Sequence, residues 1–482
     1  MTDTTPTYRF APRHESGILG CSRSQVVAAS AGVLLALVAV LGARQPVAGL
    51  GFLALGAALA FTPVGGRPLV SWWAPVAARV IGRRGSVAPP RQHELHLGSG
   101  VTSPDGPSSI RWHLPGVGRL LIRPVRTPVG EVGVADLSGS HRAASVTFAL
   151  SGPRFGLADP DEQARALGSW GQLLGALARD SRELQRLQLT ERLVPDDLSP
   201  HFAYLADVAG CADPTAAAVY RAELDSLAGS AVRHEVLLTA TLGRAGRSGS
   251  HDVVATECGR LAHLLDHAGF VARPLSADEL GRTLRSILDP DCTQFATLVD
   301  GAAARHHAPQ AWHTNWGSVV TDSGHHASFE ASGLPRLPVG PEWAWPLVLA
   351  DQPVTHRTLA LHLELARPDL AIRRAERAVL SEESDEAMRA RWGFRSGARQ
   401  DQAHDAALSR EVELATGFAD ARFALVVTVS ATNEAALADA CRALVSQGAQ
   451  SHVELRRCYG RQAEALVASL PLGVVHFSGG WR

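Results

Sequence analysis

Two long uncharged runs near the N-terminus constrain this chain more than any other feature. From Val26 to Ala43 it reads VVAASAGVLLALVAVLGA, with Ser30 as the only polar side chain, and from Pro46 to Val64 it reads PVAGLGFLALGAALAFTPV. A helix rises about 1.5 Å per residue, so each run reaches roughly 27 Å, near the thickness of a bilayer's hydrocarbon core. The pattern predicts a transmembrane helical hairpin over 26–65. Gly49, Gly51, Ala54, Gly56, Ala57 and Ala58 crowd the second run, and small side chains let two helix backbones approach closely in lipid. A cleaved signal peptide fits less well, because a polar stretch of about 25 residues precedes the first run.

Arginine placement sets the expected orientation. Arg9, Arg13 and Arg23 precede the first run, only Arg44 lies between the runs, and Arg67, Arg79, Arg83, Arg84 and Arg91 follow the second. Cytoplasmic flanks collect such residues. The 1–25 tail and the large body are therefore expected in the cytoplasm, as parts of a multi-pass protein of the cell membrane. Trp72 and Trp73 suit the headgroup layer, where an indole hides its ring and wets its N–H.

As a whole the chain has 46% hydrophobic and 19% charged residues, the balance of globular domains plus a local apolar excess. The pattern gives an α+β class: the hairpin, then two sandwich-like α/β subdomains with mostly antiparallel sheets. A juxtamembrane linker is placed at 66–95 and a first soluble domain at 96–290. An irregular connection with one or two strands takes 291–340, and a second soluble domain with a helical hairpin takes 341–482. Alternating runs such as GRLLIRP (118–124) and ASVTFAL (144–150) read as strands. Strands at 184–190 and 233–242 and helices at 160–180, 214–229 and 251–268 follow, with Asp159 and Asp213 as caps. The last segment repeats this logic, with strands at 357–366, 422–430 and 452–457 and a helix at 433–447. Between them 371–410 is laced with Arg and Glu, as in a helical hairpin standing away from the sheet and available to a partner.

Chemistry is sparse in this sequence. The chain has no lysine, which removes both a phosphate-binding loop ending in Gly-Lys-Ser/Thr and a Schiff-base amine. Neither a GxSxG elbow nor an HExxH helix occurs. The net charge of -1 gives no bulk attraction to nucleic acid, and the run Arg456–Arg461 is too short to propose one. Cys21, Cys211, Cys258, Cys292, Cys441 and Cys458 form no CxxC pair and read as buried thiols. His306, His307, His313, His325 and His326 cluster without acidic or cysteine partners at ligand spacing. A metal there would need His313, His325 and an acid such as Glu330 to converge. Trp312, Trp316, Trp343 and Trp345 mark 306–345 as the place for a pocket, if the chain were a membrane-bound transferase. The acidic pieces Asp159–Asp161 and Asp289–Asp291 read as caps and turns. No catalytic, cofactor-binding or metal residue is assigned, and no cofactor is expected.

Several pieces together resemble a known group. They are YRFAPR (8–13) with GILG (17–20), FTPVGGRP (61–68), RHEVLL (233–238), ELRRCYGRQAEA (454–465) and SLPLG (469–473). They are similar to actinobacterial two-span membrane proteins that accompany conjugation or secretion ATPases. Within that likeness the hairpin resembles the PrgI-type subunit of type IV secretion systems, and the body resembles the non-motor half of TraC-like ATPases. EccE of type VII secretion, also with two N-terminal spans before a soluble domain, is the alternative. The resemblance implies a non-catalytic membrane scaffold in an oligomeric complex, with lipid, a separate ATPase and other membrane subunits as partners.

Overall fold

The computed structural model describes residues 23–42, 44–64, 67–73, 76–77, 110–114, 118–137, 143–152, 158–181, 183–196, 198–208, 213–227, 230–243, 251–290, 309, 311–335, 339–349, 356–391 and 408–474. The tail motifs at 8–20, most of the 66–95 linker, His306, His307 and residues 392–407 lie outside them.

The first apolar run forms α1 (Arg23–Leu37), continued by a π turn over Val38–Gly42, and the second forms α2 (Pro46–Phe61). The two helices pack closely. A Cβ on Gly32 would lie 2.8 Å from the Gly56 Cα, and Gln25 Nε2 donates to the Ala60 carbonyl at 2.9 Å. Among the described residues, one helix, Ser24–Gly42 with 19 residues, is long and apolar enough to cross a membrane. The second run is shorter than its sequence suggests, with a 16-residue helix of roughly 24 Å. Pro63 disfavours helical geometry in the residue before it, and Thr62 is extended at φ -75 and ψ 117. The chain then turns through a two-residue ladder, β1 (Pro63–Val64) against β2 (Arg67–Pro68).

The body holds one thirteen-stranded sheet, antiparallel at every pairing among the described residues. Its first strands are β3 (Ile110–Leu114), β4 (Gly118–Thr127), β5 (Gly130–Leu137) and β6 (Ala143–Ser151). Then come α3 (Pro160–Asp180), β7 (Leu184–Pro195), α4 (Ser199–Val208), α5 (Pro214–Leu227), β8 (Val232–Gly243), α6 (His251–His267), β9 (Val271–Pro274) and α7 (Ala277–Leu288). The later strands and helices are β10 (Trp312–Thr314), β11 (Val319–Thr321), β12 (His325–Gly333), α8 (Trp345–Val348), β13 (His356–Leu365), α9 (Pro368–Arg391), β14 (Ala421–Ala431), α10 (Glu434–Gln450), β15 (Glu454–Arg457) and α11 (Gln462–Ser469). Local signals explain several starts. Asp159 accepts from the Glu162 amide at 2.7 Å, and Ser276 and Glu279 form a reciprocal capping box at α7.

Pairing shows that the body is an internal repeat. In the first half β6 pairs β8 and β9, and β8 pairs β7. In the second half β12 pairs β14 and β15, and β14 pairs β13. With its strands numbered along the chain, each half has the spatial order 4-1-3-2 of the split βαβ, ferredoxin-like motif. Registers agree too: Phe148 faces Leu238 and Pro274, as Phe329 faces Val427 and Arg457. Helices α6 and α10 are both 17 residues long, and their buried Cys258 and Cys441 occupy the same position in each. The halves join edge to edge through β7 and β13. Thr190 faces Ala360 at the centre, flanked by Leu189↔Leu361 and Glu191↔Leu359, the pattern of a pseudo-twofold axis.

These facts revise the sequence expectations in two places. The two α/β units share one sheet, and the stretch 291–340, expected to be an irregular connection, supplies β12 near the middle of the second half. On one sheet face, Phe148, Leu187 and Leu238 pack against Leu173 and Leu177 of α3 and Leu261 and Leu265 of α6. Phe329, Val427 and Val429 do the same with Leu437 and Leu444 of α10. On the other face Ile110, Trp112 and Ile122 from one end share a cluster with Val319 from the other, together with Leu284 of α7 and Leu466 of α11. The sheet therefore curls around α7 and α11.

Candidate functional site

The inner sheet face is unusual because its centre is polar and buried. Ser145, Thr147, Gln188, Thr190, Arg192, Thr239, Thr241, His326, Ser328, Thr358, His362, Thr428 and Ser430 are all buried. They recur at every second position of neighbouring strands, so the pleat alone places them on one face. Both halves carry the same central pair: Thr147 and Thr239 hydroxyls lie 3.0 Å apart, and Ser328 and Thr428 hydroxyls 2.8 Å.

Buried polar groups need partners, and several here find them at the ends of the two last helices, α7 and α11. The C-terminal segment of the second half crosses onto the first. Gln188 Nε2 donates to the Leu470 carbonyl at 2.8 Å, and Gln188 Oε1 accepts from the Gly473 amide at 2.7 Å. Thr147 donates to the Pro471 carbonyl at 3.1 Å, and Arg186 to the Gly473 carbonyl at 2.9 Å. Within the second half, His362 Nε2 of β13 donates to the Ala468 carbonyl at 2.9 Å. Gly473 has φ +68, and a Cβ there would strike the Thr241 hydroxyl.

In the other direction, the end of α7 reaches the second half. The Leu288 carbonyl accepts from the Thr321 hydroxyl and from His326 Nε2, and His326 Nδ1 lies 2.7 Å from the Ser430 hydroxyl. Asp289 accepts from Ser323 and pairs with Arg285, which also holds Asp322 at 2.6 Å. Helix α11 packs on β12 and β14 of its own half and α7 on β4 and β5 beside the first, so it is the ends of the two helices that cross, and these ends latch the halves together. Desolvation sets the titration of the polar face. Burial holds His326 down at about 4 and, with the Arg186 charge, His362 at about 3. Burial and Arg192 hold His356 at about 4. Neutral imidazoles fit these donor roles.

A second constellation joins the hairpin to the body. Trp72 stacks on Trp316 with ring centroids 6.1 Å apart and tilts against Tyr459 at 6.2 Å. Its indole N–H donates to the Val64 carbonyl at 2.9 Å. Tyr459 also meets the Arg457 guanidinium, 5.6 Å from its ring centre, and the Gly460 amide donates to the Trp316 carbonyl at 2.8 Å. Trp72 is therefore committed to protein contacts, unlike the wet indole expected from its position, and Trp73 alone of the pair is strongly exposed, at 76%.

The residues singled out in the sequence scatter over the fold. His313 is exposed on β10, while His326 is fully buried in the latch. His313, His325 and Glu330 do not gather with one another; among the described residues no group of three or more His, Cys, Asp or Glu side chains is placed to hold a metal. Trp312 packs at the edge of the inner cluster and Trp343 against the α10 cluster, whereas Trp345 is exposed. Asp159 caps α3, Asp289 belongs to the latch, and Asp291 lies outside the described residues. Arg456 pairs with Glu454 at 2.6 Å, and Arg457 donates to the Gly317 carbonyl at 2.7 Å. Gln188 escaped the sequence reading, and Gly473 entered it only as the end of the SLPLG motif. The Ser-x-x-Glu signal of α7 was there to find it, but no local signal marks Gln188.

The comparison with known families touches the junction of the repeats. A family model described as a putative type VII ESX secretion system translocon, EccE, matches residues 231–331, from β8 through most of β12. No curated protein matches the chain. Over that stretch the chain is similar to a secretion-system membrane component of the EccE kind, and the match lends nothing to the PrgI-like and TraC-like readings.

Proposed function

We propose that this chain is an EccE-like membrane component of a type VII secretion apparatus, in which α1 and α2 both enter the bilayer and the latched body stands on the cytoplasmic side. The family match over 231–331 carries the reading, and the close packing of α1 on α2 supports an anchor built as one unit. The 16-residue α2 is short for a span, and bilayer thinning or flanking residues accommodate such mismatch at modest cost. The body's role is to position: an anchored domain raises the local concentration of neighbouring subunits and of a separate ATPase. Several polar groups of the inner face, Gln188, Thr147 and His326 among them, hold the two halves together, which suits a rigid scaffold.

The test is purification of the tagged full-length chain from its own cell's membranes in mild detergent, with partners identified by mass spectrometry. Type VII membrane subunits and their ATPase should co-purify, and a C-terminal tag should resist an impermeant label applied to intact cells. Recovery in the soluble fraction, or co-purification with type IV conjugation subunits alone, overturns the proposal.

A further inference from the structure

Resting on that membrane reading, we infer that the body lies against the bilayer by one defined surface, the end of the second half formed by the β10–β11 turn and the β15–α11 loop, and that its partner there is the phospholipid headgroup layer. The observation is the aromatic stack. Trp72 follows the last residue of α2, Phe61, by eleven positions, and the intervening chain doubles back through the β1–β2 ladder. A segment so short and folded leaves Trp72 near the end of the apolar helix. Trp316 and Tyr459 are in ring contact with Trp72, so the two loops that carry them share its depth.

The chemistry of that surface suits headgroups. Val64, whose carbonyl accepts from the Trp72 indole, and Trp73 next to it in sequence are exposed, and Tyr459 is partly exposed with a ring and a hydroxyl, the combination enriched at membrane interfaces. Arg456, Arg457 and Arg461 surround Tyr459 in sequence, with Glu454 as the nearby acid, paired to Arg456. Long arginine side chains bury their stems and present the charge to phosphate. The stack also fixes the angle of the body, because Trp316 and Tyr459 come from different elements and are held together by the Gly460 to Trp316 backbone bond.

The experiment places the photo-crosslinker benzoylphenylalanine singly in the full-length protein, reconstituted in nanodiscs of phosphatidylcholine and phosphatidylglycerol. It stands at Asn315 or Tyr459 on the inferred surface, at Val219 on α5 as a body control, and at Leu34 on the exposed side of α1. Lipid adducts are expected at Leu34, Asn315 and Tyr459, with at least a fivefold lower yield at Val219. Adducts at Leu34 without any at Asn315 and Tyr459, or equal yields at Val219, overturn the inference and leave the membrane reading standing. No adducts at Leu34 remove the membrane reading itself and the inference with it. Because Tyr459 belongs to the stack, Asn315 provides the reading that does not alter it.

Discussion

Replacing Gln188 by leucine removes the side chain that binds the C-terminal segment at both of its polar ends. Leucine is close in volume, so the change deletes hydrogen bonds without opening a large cavity. Gln188 is fully buried. Its amide nitrogen donates to the Leu470 carbonyl at 2.8 Å and to Thr190 Oγ1 at 2.9 Å, and its oxygen accepts from the Gly473 amide at 2.7 Å. The losses are unequal. The Leu470 carbonyl also accepts from the Leu472 amide at 2.7 Å, and the Ala468 carbonyl keeps His362, but the Gly473 amide is left in a dry interior. An unsatisfied buried amide costs about 1–3 kcal/mol, and each weakened bond about 1 kcal/mol. The expected loss is about 2–4 kcal/mol. Urea unfolding of the detergent-solubilised full-length protein measures it, and hydrogen exchange over 470–474 locates it, with protection falling there before it falls in β6 or β8. Thr190→Val, which removes only a partner of Gln188, should lose about 1 kcal/mol. A change below 1 kcal/mol for Gln188→Leu, with exchange at 470–474 unaltered, refutes the latch reasoning.

Gly473→Ala combines a left-handed backbone with a collision against Thr241, and should destabilise by about 2–4 kcal/mol in the same urea assay; a neutral result means the segment sits elsewhere. Gly56→Leu forces α2 away from Gly32, so hydrogen exchange of 23–61 in detergent should rise several-fold while the body's unfolding midpoint stays fixed. Ser276→Ala opens the capping box of α7 and should cost about 1 kcal/mol, read as a shift in the urea midpoint. His326, His356 and His362 are held well below the ordinary histidine range in the folded chain. Above about pH 6.5 they are neutral in both states; below it the unfolded chain takes up protons that the native one refuses, so stability falls with pH until about 4 to 3. The slope near pH 5 should be on the order of 3 kcal/mol per pH unit, and a flat profile from 7 to 4.5 contradicts their burial.

Much of the chain could be read from its residues because local and global signals agree there. Asp159 before Pro160 places the start of α3, and apolar alternation places β6, β8, β13 and β14 within a residue or two. Reading failed where the decisive partner is remote. β12 begins with His325-His326 in a stretch rich in Gly, Pro and Trp, and only its pairing to β14 and β15 makes it a strand. The inner face carries Thr, Gln and His at positions that alternation assigns to solvent; they are buried because α11 and its tail, far away in sequence, cover them. The length of the second apolar helix was also missed, since Pro63 ends a helix that composition alone would continue. Trp72 shows the same limit: its sequence position speaks for lipid, and its ring is taken by Trp316 and Tyr459.

The repeat explains why an interior so polar is tolerated. A ferredoxin-like unit covers one sheet face with its two helices and leaves the other open. In this chain α7 and α11 cover the open faces and their ends reach from one unit to the other, so threonine and histidine side chains that water would otherwise satisfy bond to the backbone at those ends. Hydrogen bonds of this kind demand one register, whereas apolar contacts tolerate sliding. The crossing ends of α7 and α11 therefore fix how the halves sit about the Thr190–Ala360 axis. Tyr459 stands just before α11, so the loop that contacts Trp72 is also the loop that leads into the latch. Among the described residues the aromatic contact thus lies beside the start of α11, and on the membrane reading proposed above a body aligned by that contact would present its remaining surfaces in a fixed orientation.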